Sequence, residues 1–306
     1  MSDPRPILVT GAHRSGTTWV GRVLAASPGV GYVEEPFSLR HRRGICDVVF
    51  PYWFTYVSSE NREAYLRPVA DMLDFRYRLG AELRTVRSPK DAARLVRDWW
   101  QVSANRRGGA RPLVKDPIAV FSAEWFADTF DAEVVVTIRH PAGMVSSLMR
   151  LGWRHPFDHF LKQPLLMRDL LDGFEDEIRP FAEEERPLLD QAVLLWKLIY
   201  HVVSGYRERH PEWTFVRHED LAGDPIGGFR TLYERVGLPL DLGIEKAIAR
   251  HSDPSRPAEA RSPFDVRRDS KGSVALWRNR LSADQIERIR QGVEPVAKEF
   301  YSDEDW

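Results

Sequence analysis

Cysteine is almost absent: Cys46 is the single one in 306 residues. One thiol excludes an internal disulfide and fits a reducing compartment. Long apolar runs are missing as well. No stretch reaches the roughly 18 residues that a membrane-spanning helix requires. The N-terminus has no basic start followed by an apolar core, so no secretory leader is expected, and the expected location is cytoplasmic. An excess of one charge is also lacking. Lys and Arg number 44 against 45 Asp and Glu, a formal net charge of −1. That balance gives no global reason to expect nucleic acid or a membrane as partner. There is no internal repeat and no low-complexity tract. No His, Cys and Asp cluster shows metal-ligand spacing, so no metal is expected.

What is present is an ordinary core composition, 43% hydrophobic, arranged as short apolar runs alternating with longer amphipathic stretches. That alternation predicts an α/β fold, a parallel sheet of about five strands with helices on both faces. Strands are expected at Ile7–Thr10, Val30–Val33, Pro112–Val114, Val134–Ile138 and Trp213–Arg217. Helices are expected at Thr17–Ala26, Arg62–Leu79, Pro89–Gln101, Ala119–Thr129, Ala142–Arg150, Pro187–Arg209, Pro225–Val236 and Ala283–Phe300. A single domain is expected over 1–306. Two insertions break the alternation, near 37–60 and 152–175. The first holds the aromatic run Phe50-Pro51-Tyr52-Trp53-Phe54-Thr55-Tyr56, the second His155 and His159. Insertions after parallel strands commonly line the ligand crevice, so both are expected to border an acceptor site.

The most informative segment is Ile7-Leu-Val-Thr-Gly-Ala-His-Arg-Ser-Gly-Thr-Thr-Trp-Val20. A strand turns through glycines into a helix N-terminus, where backbone N–H groups and the helix dipole favour an anion. Gly11-x-x-x-x-Gly16 has the spacing of a phosphate loop, but the Lys that should follow the second glycine is Thr17. The loop's cation is Arg14. Without that Lys the loop is poorly suited to a triphosphate. Arg14, Ser15, Thr17 and Thr18 can all donate to an anion.

Further groups follow the other strands and should gather at the same sheet edge. They are Glu34-Glu35-Pro36, Lys115-Asp116-Pro117, Arg139-His140-Pro141 with Ser147 two helical turns on, and His218-Glu219-Asp220-Leu221. Near the C-terminus, Arg267-Arg268-Asp269-Ser270-Lys271-Gly272 reads as a basic loop ahead of Trp277. Arg14, Lys115, Arg139 and Lys271 could thus converge on one polyanion.

In this order the segments resemble the sulfotransferases. Residues 11–20 are similar to their 5′-phosphosulfate loop. Thr137-Ile138-Arg139 through Ser146-Ser147 is similar to their 3′-phosphate segment, and Ser270-Lys271-Gly272 with Trp277-Arg278-Asn279 to a late cofactor-covering loop. The resemblance implies 3′-phosphoadenosine 5′-phosphosulfate (PAPS) as donor and a nucleotide-kinase-like P-loop sheet. It also implies cofactor contacts from His13, Arg14, Ser15, Gly16, Thr17, Thr18, Arg139, Ser147, His218, Ser270, Lys271 and Gly272. Pro117 stands where the cytosolic small-molecule enzymes have a catalytic His, so that mechanism does not carry over. Arg14, Glu35-Pro36 and Lys115-Asp116-Pro117 look more like the carbohydrate and tyrosylprotein enzymes, which use a Glu base. Without their anchor and disulfides, the chain looks like a soluble, bacterial-type relative.

The expected reaction is in-line transfer of a sulfuryl group to a hydroxyl of a carbohydrate or small metabolite. Glu35 is the expected base, with Arg14 and Lys115 stabilising charge at the reacting centre. Glu34 should point away, because neighbouring side chains in a strand alternate. His13 and Asp116 are competing bases. An ATP-dependent P-loop kinase and a non-catalytic nucleotide-binding protein remain as alternatives.

Overall fold

The computed structural model describes residues 5–253, 255–258 and 269–306. Its centre is a five-stranded sheet: β1 Ile7–Gly11, β2 Val30–Glu34, β3 Arg111–Lys115, β4 Glu133–Ile138 and β5 Thr214–Arg217. The order is β2-β3-β1-β4-β5 and every pairing is parallel. β1 is therefore central, with later strands added on either side of it. In such sheets ligands bind beyond the carboxyl ends of the strands where the order reverses.

The strand residues are apolar on both faces, as a doubly covered sheet requires. Alternation divides them between two cores. Ile7, Val9, Leu113 and Val135 pack with Trp19, Val20, Phe229 and Tyr233 on one face. Leu8, Val114, Val134 and Val136 pack with Trp196, Tyr200 and Tyr206 on the other. Each large side chain so buried contributes about 1.5–3 kcal/mol. Pro112 is tolerated inside an interior strand for a local reason. The Arg111 amide donates to Gly29 O (2.7 Å) and the Asp116 amide to Val9 O (2.9 Å). Alternation then turns the Pro112 nitrogen toward β1 before β1 begins, and the Arg5 carbonyl there accepts from Arg111 Nε (2.5 Å) instead.

The helix Leu188–Arg209 does more than cover the sheet. Its Trp196 Nε1 donates to Arg139 O (2.9 Å), and its Tyr200 Oη accepts from the Arg139 amide (3.0 Å). The carboxyl end of β4 is thereby fixed.

Several expected helices are shorter than their sequence pattern. Arg62–Leu79 is a helix only over Glu63–Leu73. Phe75 then takes φ 52°, and the turn closes over buried Asp71, which pairs with Arg67, Arg76 and Arg78. Ala119–Thr129 begins instead as a 3₁₀ turn, Pro117–Ser122, before the helix Ala123–Phe130. Ala283–Phe300 stops at Val293, two residues ahead of Pro295, which has no N–H to continue it. The helices His218–Gly223 and Leu242–His251 were not anticipated. Ser270–Val274, expected as loop, is a short helix whose Asp269 cap accepts from the Gly272 amide. Arg267 and Arg268 lie outside the described residues.

Candidate active site

The loop between β1 and the helix α1, Thr17–Leu24, is built on two glycines. Gly11 has φ 139° and Gly16 φ 99°. A Cβ at Gly11 would lie 2.3 Å from Thr137 O, and one at Gly16 2.7 Å from His218 Nδ1. The Ser15 hydroxyl is buried and lies 2.6 Å from both Ala12 O and Thr137 Oγ1. It is therefore spent on shaping the loop, which corrects its expected place as an anion donor. Val20 N donates to Gly16 O (3.0 Å), the first bond of the helix. The amides of Gly16 to Trp19 precede that bond and have no intrahelical carbonyl, as at any helix start.

Arg14 has φ 65°, and its guanidinium reaches Ser147 Oγ (3.1 Å) and lies 5.8 Å from the centre of the Trp153 ring. Burial first, then Arg139 and Arg150, pushes its pKa down to about 10, so it stays charged at neutral pH. Ser147 therefore sits behind Arg14. Arg139 is 6% exposed, and its Nη1 donates to Arg14 O (2.5 Å). Its Nε has no hydrogen-bond partner among the described residues.

β2 ends differently from the alternation rule. Lys115 is fully buried, and its Nζ lies 2.6 Å from Glu35 Oε1 and 3.4 Å from Glu34 Oε1. Glu34 does not point away. Glu35 takes φ 49°, outside strand geometry, so both carboxylates turn to one ammonium. Such a conformation is costly for a non-glycine residue and tends to mark functional sites. Asp116 is buried: its Oδ2 accepts from Phe37 N (2.6 Å) and its Oδ1 from Ile118 N (2.8 Å). Burial pushes its pKa up to about 7, and both oxygens are occupied by the backbone.

A cavity of ≈ 930 Å³ opens over this sheet edge. His13, Arg14, Gly16, Thr17, Thr18, Glu35 and Arg139 all line it. Lys115 lies just beneath, reached through Glu35. His218 is buried behind Gly16, edge-on to Trp19 at 5.6 Å, and buttresses the loop from below. Ser270, Lys271 and Gly272 do not border the cavity. Trp277 stacks on His140 (5.0 Å, 10°) rather than covering the site.

The two insertions meet on one side of the cavity. Trp53 N donates to His159 Nδ1 (3.0 Å) and Tyr56 N to Gln163 Oε1 (2.8 Å). They bring Trp53 and Trp153 to the His13 ring, each 6.3 Å away, with Phe54 at 5.1 Å. Burial first, then Arg14 and Lys115, pushes the His13 pKa down to about 4, which keeps it neutral at pH 7. The sequence pattern did not mark Tyr32, Met72, Phe75, Gln101, Val102 and Asn105, which line the other side. No periodicity separates them from ordinary helix and strand residues. Among the described residues no group of three or more His, Cys, Asp or Glu could hold a metal ion, and no helix is long and apolar enough to cross a membrane.

A parallel sheet with a glycine-built loop at its central strand, backed by buried cations, defines a group-transfer protein of the P-loop architecture. The family comparison narrows this. The sulfotransferase family model matches residues 6–241, and the chain belongs to that family. It is 31% identical over 75 residues to carbohydrate sulfotransferase 1 of Danio rerio, a stretch covering 24% of this chain and 18% of that protein. Among solved structures it is similar to the sulfotransferase domain from the curacin biosynthetic pathway. That likeness has 14% identity, 94% and 96% of the two chains covered, and a TM-score of 0.47. A mouse sulfotransferase complexed with PAP has 11% identity, 95% and 83% coverage, and a TM-score of 0.42.

Proposed function

We propose that this protein transfers the sulfuryl group of PAPS to a hydroxyl of a small molecule or carbohydrate, with Glu35 as base. The observation that carries the reading is the Glu35–Lys115 pair at 2.6 Å, set beside the helix-start amides of the loop in one cavity. The donor fits the residues present. Gly16, Thr17 and Thr18 offer amides and hydroxyls to its 5′-phosphate. Arg139 lines the cavity, and its guanidinium suits an anion such as the 3′-phosphate. When bound, PAPS supplies an electrophilic sulfur and an anionic leaving group.

The chain's residues then divide the work. Lys115 holds Glu35 Oε1, which leaves Oε2 to take the acceptor's proton. As the acceptor oxygen bonds to sulfur, the bond from sulfur to the phosphate oxygen breaks, and negative charge grows on the leaving phosphate. Arg14, which lines the cavity, and Lys115, held beneath it by Glu35, are the cations assigned to stabilise it. A preorganised charge of this kind is worth about 10²–10³ in rate. His13, neutral at pH 7, lines the acceptor side as a hydrogen-bonding group and does not act as an ionised one. The PAPS specificity, the acceptor class and the roles of these residues are tested together by calorimetry and turnover. Adenosine 3′,5′-bisphosphate should bind without Mg²⁺ and more tightly than ADP, and labelled sulfate should pass from PAPS to an added hydroxyl acceptor. Binding of ADP alone, dependent on Mg²⁺, would overturn the reading in favour of a kinase.

A further inference from the structure

The helix Pro89–Arg107 is 19 residues long and buries only Leu95. Helices in globular proteins draw most of their stability from packing an apolar face. This helix has a second apolar stripe, turned outward. Ala92, Val96, Trp99 and Trp100 recur at the spacing of one helical face, and Val96 is 59% exposed, Trp99 47% and Trp100 59%. The residues that line the cavity, Asp98, Gln101, Val102 and Asn105, lie on the opposite side. The short helix Leu79–Leu83 packs beside it and exposes Leu79 and Leu83.

Charge in this region is far from balanced. From Asp71 to Arg107 there are nine Lys and Arg against five Asp and Glu, a net +4, in a chain whose total is −1. Arg84, Arg87, Lys90, Arg106 and Arg107 are exposed. No ion pair engages any of them among the described residues, whereas Arg94 and Arg97 pair with Asp91 and Asp98.

We infer that this face docks the protein on a membrane surface carrying acidic lipids. A second copy of the chain would set one +4 segment against another, which charge repulsion opposes. The occupant is therefore anionic. It also has to accept a convex ridge with two adjacent indoles. A lipid interface does so without a preformed groove: Trp sits at the headgroup level, and flanking Arg and Lys contact acidic headgroups. The helix would lie in the plane of the surface, with the cavity on its far side, about one helix diameter (~10 Å) away.

The test is flotation of the full chain with phosphatidylcholine vesicles, with and without 30% phosphatidylserine (an amount of about this size gives a strongly negative surface). Binding is expected only to the acidic vesicles and should fall as salt rises. Each cation near such a surface is worth about fivefold in partitioning, so Arg84→Glu/Arg87→Glu/Lys90→Glu should weaken binding about 10²-fold or more. Trp99→Ser/Trp100→Ser should weaken it at least about tenfold at constant charge. Thermal melting and binding of adenosine 3′,5′-bisphosphate should be unchanged in both, which separates lost docking from lost folding. Equal binding to both vesicle types, or none to either, overturns the inference. So does a wild-type dimer in sedimentation that Trp99→Ser/Trp100→Ser converts to monomer. Tight binding of poly-glutamate that depends on the same tryptophans, without vesicle binding, would reassign the face to an acidic protein.

Discussion

The two flanks of β1 hold similar residues and use them differently. On the β3–β2 side, Lys115 and Glu35 form a pair with one member in the cavity. On the β4–β5 side, the acid and one arm of Arg139 are turned into framework. Arg139 Nη1 is spent on the Arg14 carbonyl. Glu219 accepts from His140 N (3.1 Å) and from Tyr301 Oη (2.9 Å). His218 fills the space under Gly16. Under the function proposed above, the first flank would serve proton and charge transfer, while much of the second packs beneath the loop. A charged residue at a strand end is thus not a sufficient sign of chemistry; what matters is whether its polar atoms are already engaged.

The sharpest way to break that division is at Glu35. If the β3–β2 flank carries the reaction, Glu35→Gln should lower kcat by about 10²–10⁴, with affinity for adenosine 3′,5′-bisphosphate nearly unchanged. Glu34 shares the same ammonium at 3.4 Å, so Glu34→Gln should have a smaller effect, visible in the same steady-state assay. Normal turnover by Glu35→Gln would remove the base from this flank. Arg14 spans both flanks, and Arg14→Ala should reduce turnover by about 10² while the melting temperature moves little. A collapse in melting temperature would instead count Arg14 as framework. On the β4–β5 side the effect should appear in binding. The wild type should prefer adenosine 3′,5′-bisphosphate over 5′-AMP by at least about tenfold in calorimetry, the weight of one charged hydrogen bond. Arg139→Gln should erase most of that preference.

The smallest expected effect concerns His13. Its folded pKa, about 4, lies below the unfolded value of 6.5. The unfolded state therefore binds more protons between those values, and the stability this group contributes above pH 6.5 is lost as pH falls toward 4. His13→Gln should flatten that part of the stability–pH curve, measured as chemical denaturation at pH 4 to 7. An unchanged slope would mean that His13 titrates normally in the folded protein.

The strands and the loop were legible because their signals are local. Val134 to Ile138 is β-branched throughout, and Gly11 and Gly16 mark conformations that other residues resist. The end of β2 was not legible, because the alternation rule assumes strand geometry and Glu35 leaves it by taking φ 49°. The Ser15 and Ser147 hydroxyls have partners within the protein that the sequence does not reveal. A hydroxyl that can serve an anion can equally serve a backbone carbonyl or a neighbouring guanidinium, and sequence does not distinguish these uses. The second insertion contains helices of four and six residues, Asp158–Leu161 and Pro164–Asp169. Those are too short to show a 3.6-residue period. His218 kept its place in the motif but acts through the loop rather than toward the cavity.

One glycine on α1 sets a tolerance for the Lys115–Glu35 pair. A Cβ at Gly21 would lie 2.9 Å from Lys115 Cγ, 3.0 Å from Lys115 Cβ and 3.2 Å from Tyr32 Cε2. The Cβ–Cγ stem of the lysine thus packs against α1 in the space that a methyl group at position 21 would take. Because α1 also carries the loop's amides, any side chain added at position 21 would move the amides and the ammonium relative to each other. A residue with no polar side chain and no place in the cavity therefore acts as the shim that keeps the two in register.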